Sequence, residues 1–148
     1  MTTTAPIANG RVIALAHYAG RALLEGVLAR HGATFQHGVT LRALVVAGES
    51  LGRDELIGDV TGSLKADESV VRGVIEELTA MKLVEEDPGD PSRLRLTDAG
   101  RELHERSGVE TAEISARLYA GIPAEDLAVA GRVLALVTER ANAELADA

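Results

Sequence analysis

Four histidines, His17, His31, His37 and His104, are the chain's imidazoles, and no cysteine accompanies them. Zinc sites need three or four converging ligands, commonly at short fixed spacings. No two of these histidines stand three or four residues apart, so no helical turn pairs them and no metal site is expected. The lack of cysteine excludes disulfides, thiolate ligands and thiol redox sensing. The neighbouring carboxylates Glu76-Glu77 and Glu85-Glu86 diverge on a helix or a strand, so they read as solvated surface and not as an acid/base pair. With no nucleophile elbow, Walker loop or HExxH motif, no enzyme and no cofactor are expected.

Cations are the side chains best placed to do chemistry. Lys65, Ser69 and Arg72 cluster around the start of one segment, and Arg93 and Arg95 alternate on another. Guanidinium, ammonium and hydroxyl groups so placed can meet phosphates and base edges. The charge balance opposes them. The chain carries a formal −8, and between Arg53 and Asp98 six cations face twelve carboxylates. Phosphate binding draws on clustered Lys and Arg, and Arg72 has Glu68 and Glu76 four residues away on either side as alternative partners. On the first long segment His17, Tyr18 and Arg21 form a polar cluster able to hold an anionic small molecule, since Arg grips carboxylates bidentately. His37 and Arg42 on the next segment can face the same cavity. A dimer-interface or surface role for the cluster is equally open.

The elements that must hold these residues follow from periodicity and punctuation. Residues 1–10 are small and polar and read as disordered. A helix is expected over 11–31, where Gly20 and Gly26 each cost about 1 kcal/mol relative to Ala unless close packing compensates. A second helix is expected over 38–47. Ser50 reads as the N-cap of a short helix that Gly62 ends. In DESVVRGVIEEL, residues 67–78, Val71, Val74, Ile75 and Leu78 form an i, i+3, i+4, i+7 stripe, with Asp67 as N-cap. The opposite face carries Ser69, Arg72 and Gly73. Two short strands at 83–86 and 93–96 flank DPGDPS, a run of turn residues. Thr97 caps a helix expected to run to about Ala120, with Gly108 as a possible bend, and Pro123 opens a last helix as its N1 residue.

The order of a short helix, a turn, a helix and a two-stranded hairpin is that of a winged helix-turn-helix. The expected class is therefore mainly α, with a two-stranded β-hairpin wing. The first and last helices carry apolar stripes too wide for so small a core, which points to a helical dimerisation region and a homodimer. The boundaries drawn are 11–36 and 109–148 for dimerisation and 37–108 for the winged helix-turn-helix. Aromatics make up only 2% of the chain, so a Leu, Val, Ile and Ala core of helices is expected. No unbroken apolar run approaches the roughly 20 residues of a membrane span, and MTTTAPIANG lacks the pattern of a signal peptide. No membrane association and a cytoplasmic location are expected.

Three stretches resemble the MarR (multiple antibiotic resistance regulator) family of bacterial transcription factors. VVRGVIEELTAMKLVEE resembles its recognition helix leading into the first wing strand. DPGDPSRLRLTDAGREL resembles its wing and the Leu-Thr-x-Ala-Gly turn that follows. GIPAEDL resembles the start of its last helix. The resemblance covers most of residues 11–145. It implies a homodimer that binds a pseudo-palindromic double-stranded DNA operator, with a ligand pocket between the dimerisation helices and the winged region. The implied DNA-contacting set is Lys65, Ser69, Val70, Arg72, Gly73, Glu76, Arg93 and Arg95. The candidate set for a small, anionic effector is His17, Tyr18, Arg21, His37 and Arg42. The chain departs from the family where Gly73 replaces a common Arg and Arg72 sits one position earlier, about 100° around the helix. Its wing is also shorter, with Pro91-Ser92 in place of paired arginines. The alternative is the same fold with weakened or lost DNA binding, serving as a small-molecule or protein-binding module.

Overall fold

The computed structural model describes residues 4–148. Helix α1 spans Gly10–Arg30 and α2 Phe35–Val46. Strand β1, Ser50–Gly52, leads directly into α3, Arg53–Leu64, which is followed by α4, Glu68–Ala80. Strands β2, Val84–Asp87, and β3, Asp90–Leu96, precede α5, Asp98–Tyr119, and α6, Ala124–Ala146. The chain divides into two compact units, one ending at Ala112 and the other covering Glu113–Ala148.

The core of the first unit is aliphatic, as the scarcity of aromatics implies. Leu41 and Leu44 of α2, Leu56, Ile57 and Val60 of α3, and Val71, Val74, Ile75 and Leu78 of α4 bury together with Leu83, Val84, Leu94 and Leu96. Each such side chain contributes about 1.5–3 kcal/mol on burial. The expected stripe of residues 67–78 is thus the buried face of α4. Asp67 occupies the N-cap position, but through its backbone: its carbonyl accepts from Val70 and Val71, while its side chain makes no cap bond.

The sheet has three strands in the order β1-β3-β2, all antiparallel. The expected two-stranded wing is extended because Ser50 is a strand residue and not a helix cap. It pairs with Arg95, and Leu51 pairs with Leu94. The helix that follows starts at Arg53 without a side-chain cap. It also runs past Gly62 and ends where Lys65 turns left-handed at φ 54°. Across β2 and β3, Val84 faces Leu96 on the core side, and Glu85 faces Arg95 on the outer side.

Two further expectations change. The second helix begins earlier than 38, because Thr34 and His37 form a capping box. The His37 backbone N–H donates to Thr34 Oγ1 at 3.2 Å, and the Thr34 N–H donates to His37 Nδ1 at 3.0 Å. Gly20 and Gly26 in α1 meet no close neighbour, and a Cβ at either would stand in open space. The close packing falls at Gly38, where a Cβ would lie 2.8 Å from Leu28 Cδ1.

Helix α5 runs unbroken through Gly108. Pro123 is the N-cap of α6 and not its first residue, and its carbonyl accepts from Asp126 and Leu127. In α1, Leu15, Tyr18 and Leu23 are exposed. Among the described residues only α1 is, by length and composition, apolar enough to cross a membrane, with a mean hydropathy of 1.3. Arg21 and Glu25 interrupt it, so it holds no unbroken apolar run of that length. In α6, Leu127, Leu134, Val137 and Leu145 of the apolar stripe are exposed, and no residue of that helix is buried.

Candidate nucleic-acid interface

Burial of Val71, Val74, Ile75 and Leu78 turns the other face of α4 outward. Ser69, Val70, Arg72 and Glu76 are all exposed on it. Gly73 is half-buried, with open space where a Cβ would stand, so no packing constraint demands a glycine there. Lys65 lies in the turn between α3 and α4, and its Nζ donates to the Gly62 carbonyl at 2.6 Å.

The arginines of this surface are mostly occupied. Arg72 donates to Glu68 Oε1 from Nη2 at 2.5 Å and from Nε at 3.1 Å. Arg95 donates to Glu85 at 2.8 Å across the sheet, and Arg53 to Glu86 at 3.3 Å. Arg93 is different: its Nε and Nη2 reach the Ser50 hydroxyl, each at 3.3 Å. Among the described residues neither Lys65 nor Arg93 makes an ion pair.

The wing turn is built by its own polar side chains. Asp87 accepts from the Gly89 N–H at 2.8 Å, and Asp90 accepts from the Ser92 hydroxyl at 2.6 Å and its N–H at 3.0 Å. The Ser92 hydroxyl, its N–H and then the nearby Arg93 charge hold the Asp90 carboxyl below the usual range. At the sheet's base a cleft of about 410 Å³ is lined by Glu49, Glu85, Asp87, Asp98, Arg95 and Arg101, among others. Arg101 there grips Glu49 with Nε at 2.7 Å and Nη2 at 2.6 Å, and reaches Asp98 at 2.8 Å. This bidentate bond lowers the Glu49 carboxyl below its ordinary value and raises the Arg101 guanidinium above its own.

The candidate effector residues fall into separate groups. His17 and Tyr18 are exposed on α1, their rings tilted and 5.9 Å apart. Arg21 pairs with Glu25 at 2.7 Å, and its guanidinium carbon lies 4.2 Å from the centre of the Phe35 ring. Phe35 carried no signal by itself, because its partner is fourteen positions away in the chain. Arg42 is exposed. His37 is buried, with both ring nitrogens engaged: Nδ1 accepts from Thr34, and Nε2 lies 2.6 Å from Glu77 Oε2. Both ring nitrogens of His37 thus have partners within the chain. Glu77, expected to be plain solvated surface, is its partner. A histidine three residues after Thr34 was the available clue, since that is the capping-box position usually held by Glu or Gln.

No protein-family model and no curated protein matches the sequence; the likeness is one of three-dimensional structure. A MarR family transcriptional regulator from Rhodococcus sp. RHA1 superposes with a TM-score of 0.73 at 19% identity, covering 87% of this chain and 92% of that one. BpsR from Bordetella bronchiseptica, described in connection with regulation of DNA binding by 6-hydroxynicotinic acid, gives 0.68 at 26% identity, covering 87% and 97%. MepR from S. aureus, in complex with DNA, gives 0.70 at 17% identity, covering 89% and 96%. The chain has the winged helix-turn-helix fold of the MarR family of transcriptional regulators.

Proposed function

We propose that the protein is a homodimeric transcriptional regulator, and not an enzyme, that binds a pseudo-palindromic operator through residues 65–76 and the 87–95 wing. The observation that carries the reading is α4 itself. One face is locked into the aliphatic core, and the other presents Ser69, Val70, Arg72 and Glu76 outward from the turn at Lys65, with Arg93 on the adjoining sheet. A helix so held enters a major groove by its N-terminal half. The MepR–DNA complex and the regulation of BpsR's DNA binding by 6-hydroxynicotinic acid support both kinds of partner. The exposed apolar side chains of α1 and α6 suit a second copy of the chain.

Small-molecule control belongs on the exposed cluster of His17, Tyr18 and Arg21, where the Arg21 guanidinium already lies against Phe35. An anionic aromatic compound would match that surface, the carboxylate meeting Arg21 and the ring stacking beside it. Its differential affinity for two arrangements of the dimer would shift DNA binding.

The test is titration of the full-length protein against duplex DNA from the region upstream of its own gene, over a range of salt. Salt-dependent binding that Lys65→Glu with Arg93→Glu abolishes is expected. Binding that survives both reversals would refute this interface. A second reading, the same fold with DNA binding lost, is favoured by the carboxylates on Arg53, Arg72 and Arg95. It predicts no binding even at the lowest salt.

A further inference from the structure

Two of the arginines assigned to DNA contact are each held by a carboxylate of the same chain, and the pairs lie on different elements. Arg72 and Glu68 sit one turn apart on α4, with the Glu N-terminal to the Arg, the favourable order for such a pair. Arg95 and Glu85 are directly opposed residues of β3 and β2, so the sheet register itself sets their pairing. All four side chains are between 43% and 60% exposed. An approaching phosphate therefore has access to both guanidinium groups, but it must compete for their charge with a carboxylate that already holds Nε and Nη2 of Arg72 or Nε of Arg95. Among the described residues Lys65 and Arg93 make no ion pair: a backbone carbonyl and a serine hydroxyl hold them, and the Asp90 carboxyl near Arg93 bonds Ser92 instead.

We infer that Glu68 and Glu85 are intramolecular competitors for DNA phosphate, which suppress non-specific binding and leave Lys65 and Arg93 as the main cations engaged before the pairs open. The inference rests on the DNA-binding reading above and assigns these two glutamates a role in specificity. Exposed ion pairs are weak, so each is a removable mask. A cognate site whose base edges satisfy Ser69 and the groove-facing part of α4 gains enough contacts to open the Arg72 pair, whereas a random sequence does not. This accounts for a reading surface that is acidic in sum and yet built on a DNA-binding fold.

The experiment is a double-mutant cycle on the full-length protein, measured by fluorescence anisotropy with a random-sequence duplex of about 30 base pairs and with the upstream duplex. Glu68→Gln keeps the shape and leaves Arg72 without its charged partner. Random-duplex binding is expected to tighten about three- to fivefold at low salt, with the log–log salt slope steeper by about 1. The upstream duplex should gain less. In the Arg72→Ala background Glu68→Gln should change little, and Glu85→Gln should depend on Arg95 in the same way. In the wild-type background Arg72→Ala should weaken random-duplex binding less than Arg93→Ala does. Equal gains with and without Arg72 would mean only long-range charge and would overturn the inference, as would no gain at all in a wild type that binds. Failure of the wild type and every variant to bind either duplex at the lowest salt would instead sink the DNA-binding reading itself. Circular dichroism of each variant confirms that exposed Glu→Gln changes leave the fold intact.

Discussion

His37 Nε2 lies 2.6 Å from Glu77 Oε2, tying the first turn of α2 to the C-terminal half of α4. Because Nδ1 already accepts the Thr34 N–H, the ring carries its proton on Nε2 and donates to the carboxylate. One buried imidazole thus caps one helix and braces the helix that presents Ser69 and Arg72. His37→Ala should cost about 2–3 kcal/mol, from a lost cap and a bond to a charged acceptor. Glu77→Gln keeps an acceptor oxygen and should cost less than about 1 kcal/mol. Urea denaturation of both variants checks this; equal losses would mean that the bond to Glu77 carries the whole effect and the cap none.

Gly100 should tolerate no side chain. A Cβ there would stand 2.1 Å from the Leu83 carbonyl oxygen and 2.8 Å from Leu96 Cδ1. That carbonyl is fixed in place by accepting the Thr97 N–H. Gly100→Ala should therefore destabilise by roughly 2–3 kcal/mol, despite the better helix propensity of Ala. A thermal melt showing no loss would contradict the tight seating of α5 against Leu83 and Leu96.

Gly73 should behave in the opposite way. Its Cβ position is open, so Gly73→Ala should stabilise the protein by about 0.8–1 kcal/mol through helix propensity alone. Gly73→Arg should do the same and add a cation beside Arg72, strengthening duplex binding and steepening its salt dependence. A destabilised Gly73→Ala variant would reveal a constraint absent from this arrangement.

Acid should loosen the attachment of α5 to the sheet. The Arg101 hydrogen bonds keep Glu49 below its ordinary value, so this pair's contribution is present above the ordinary carboxylate range and is lost as pH falls through the lower folded value. Glu49→Gln should lower stability at pH 7 and reduce the drop in stability between pH 5 and acid. Part of the acid sensitivity should persist. Glu110, lowered chiefly by its bond to Arg30 and further by His31, and Asp90, lowered by Ser92, titrate in the same sense. A parallel pH profile for wild type and Glu49→Gln would exclude the Glu49 contribution.

The apolar stripe of α6 should be needed for self-association. Leu134→Glu with Val137→Glu places charge on two side chains that are 42% and 46% exposed in the single chain. Analytical ultracentrifugation should show a wild-type dimer converted to monomer; a dimer that persists would locate self-association elsewhere.

Periodicity and turn chemistry were enough to predict most of the fold. The apolar stripe of α4, the turn at Pro88-Gly89, the Thr97 cap and the Pro123 break all act within a few residues, so their signals are local. The misses share one physical cause. Ser50 reads as a cap until β3 comes alongside, because three residues have no strand period of their own and pair only with a partner more than forty positions away. Likewise, Gly62 looks like a helix stop, yet the helix continues for two more residues to the left-handed turn at Lys65.

The same division holds for the interface. Sequence alone determined which face of α4 is buried, that Ser69 and Arg72 lie on the other, that Glu68 stands within reach of Arg72 one turn away, and that the region is acidic in sum. Only the tertiary structure decided which charges meet at longer range. It set Glu85 on Arg95 through strand register, Glu86 on Arg53, Glu49 on Arg101 and Glu77 on His37. Helical spacing predicts partners three or four residues apart, because the backbone alone brings them together. Pairs separated by 10 to 52 residues are created by the packing of whole elements, and in those pairs the acidic surface becomes a set of named contacts, each of which a single substitution can open.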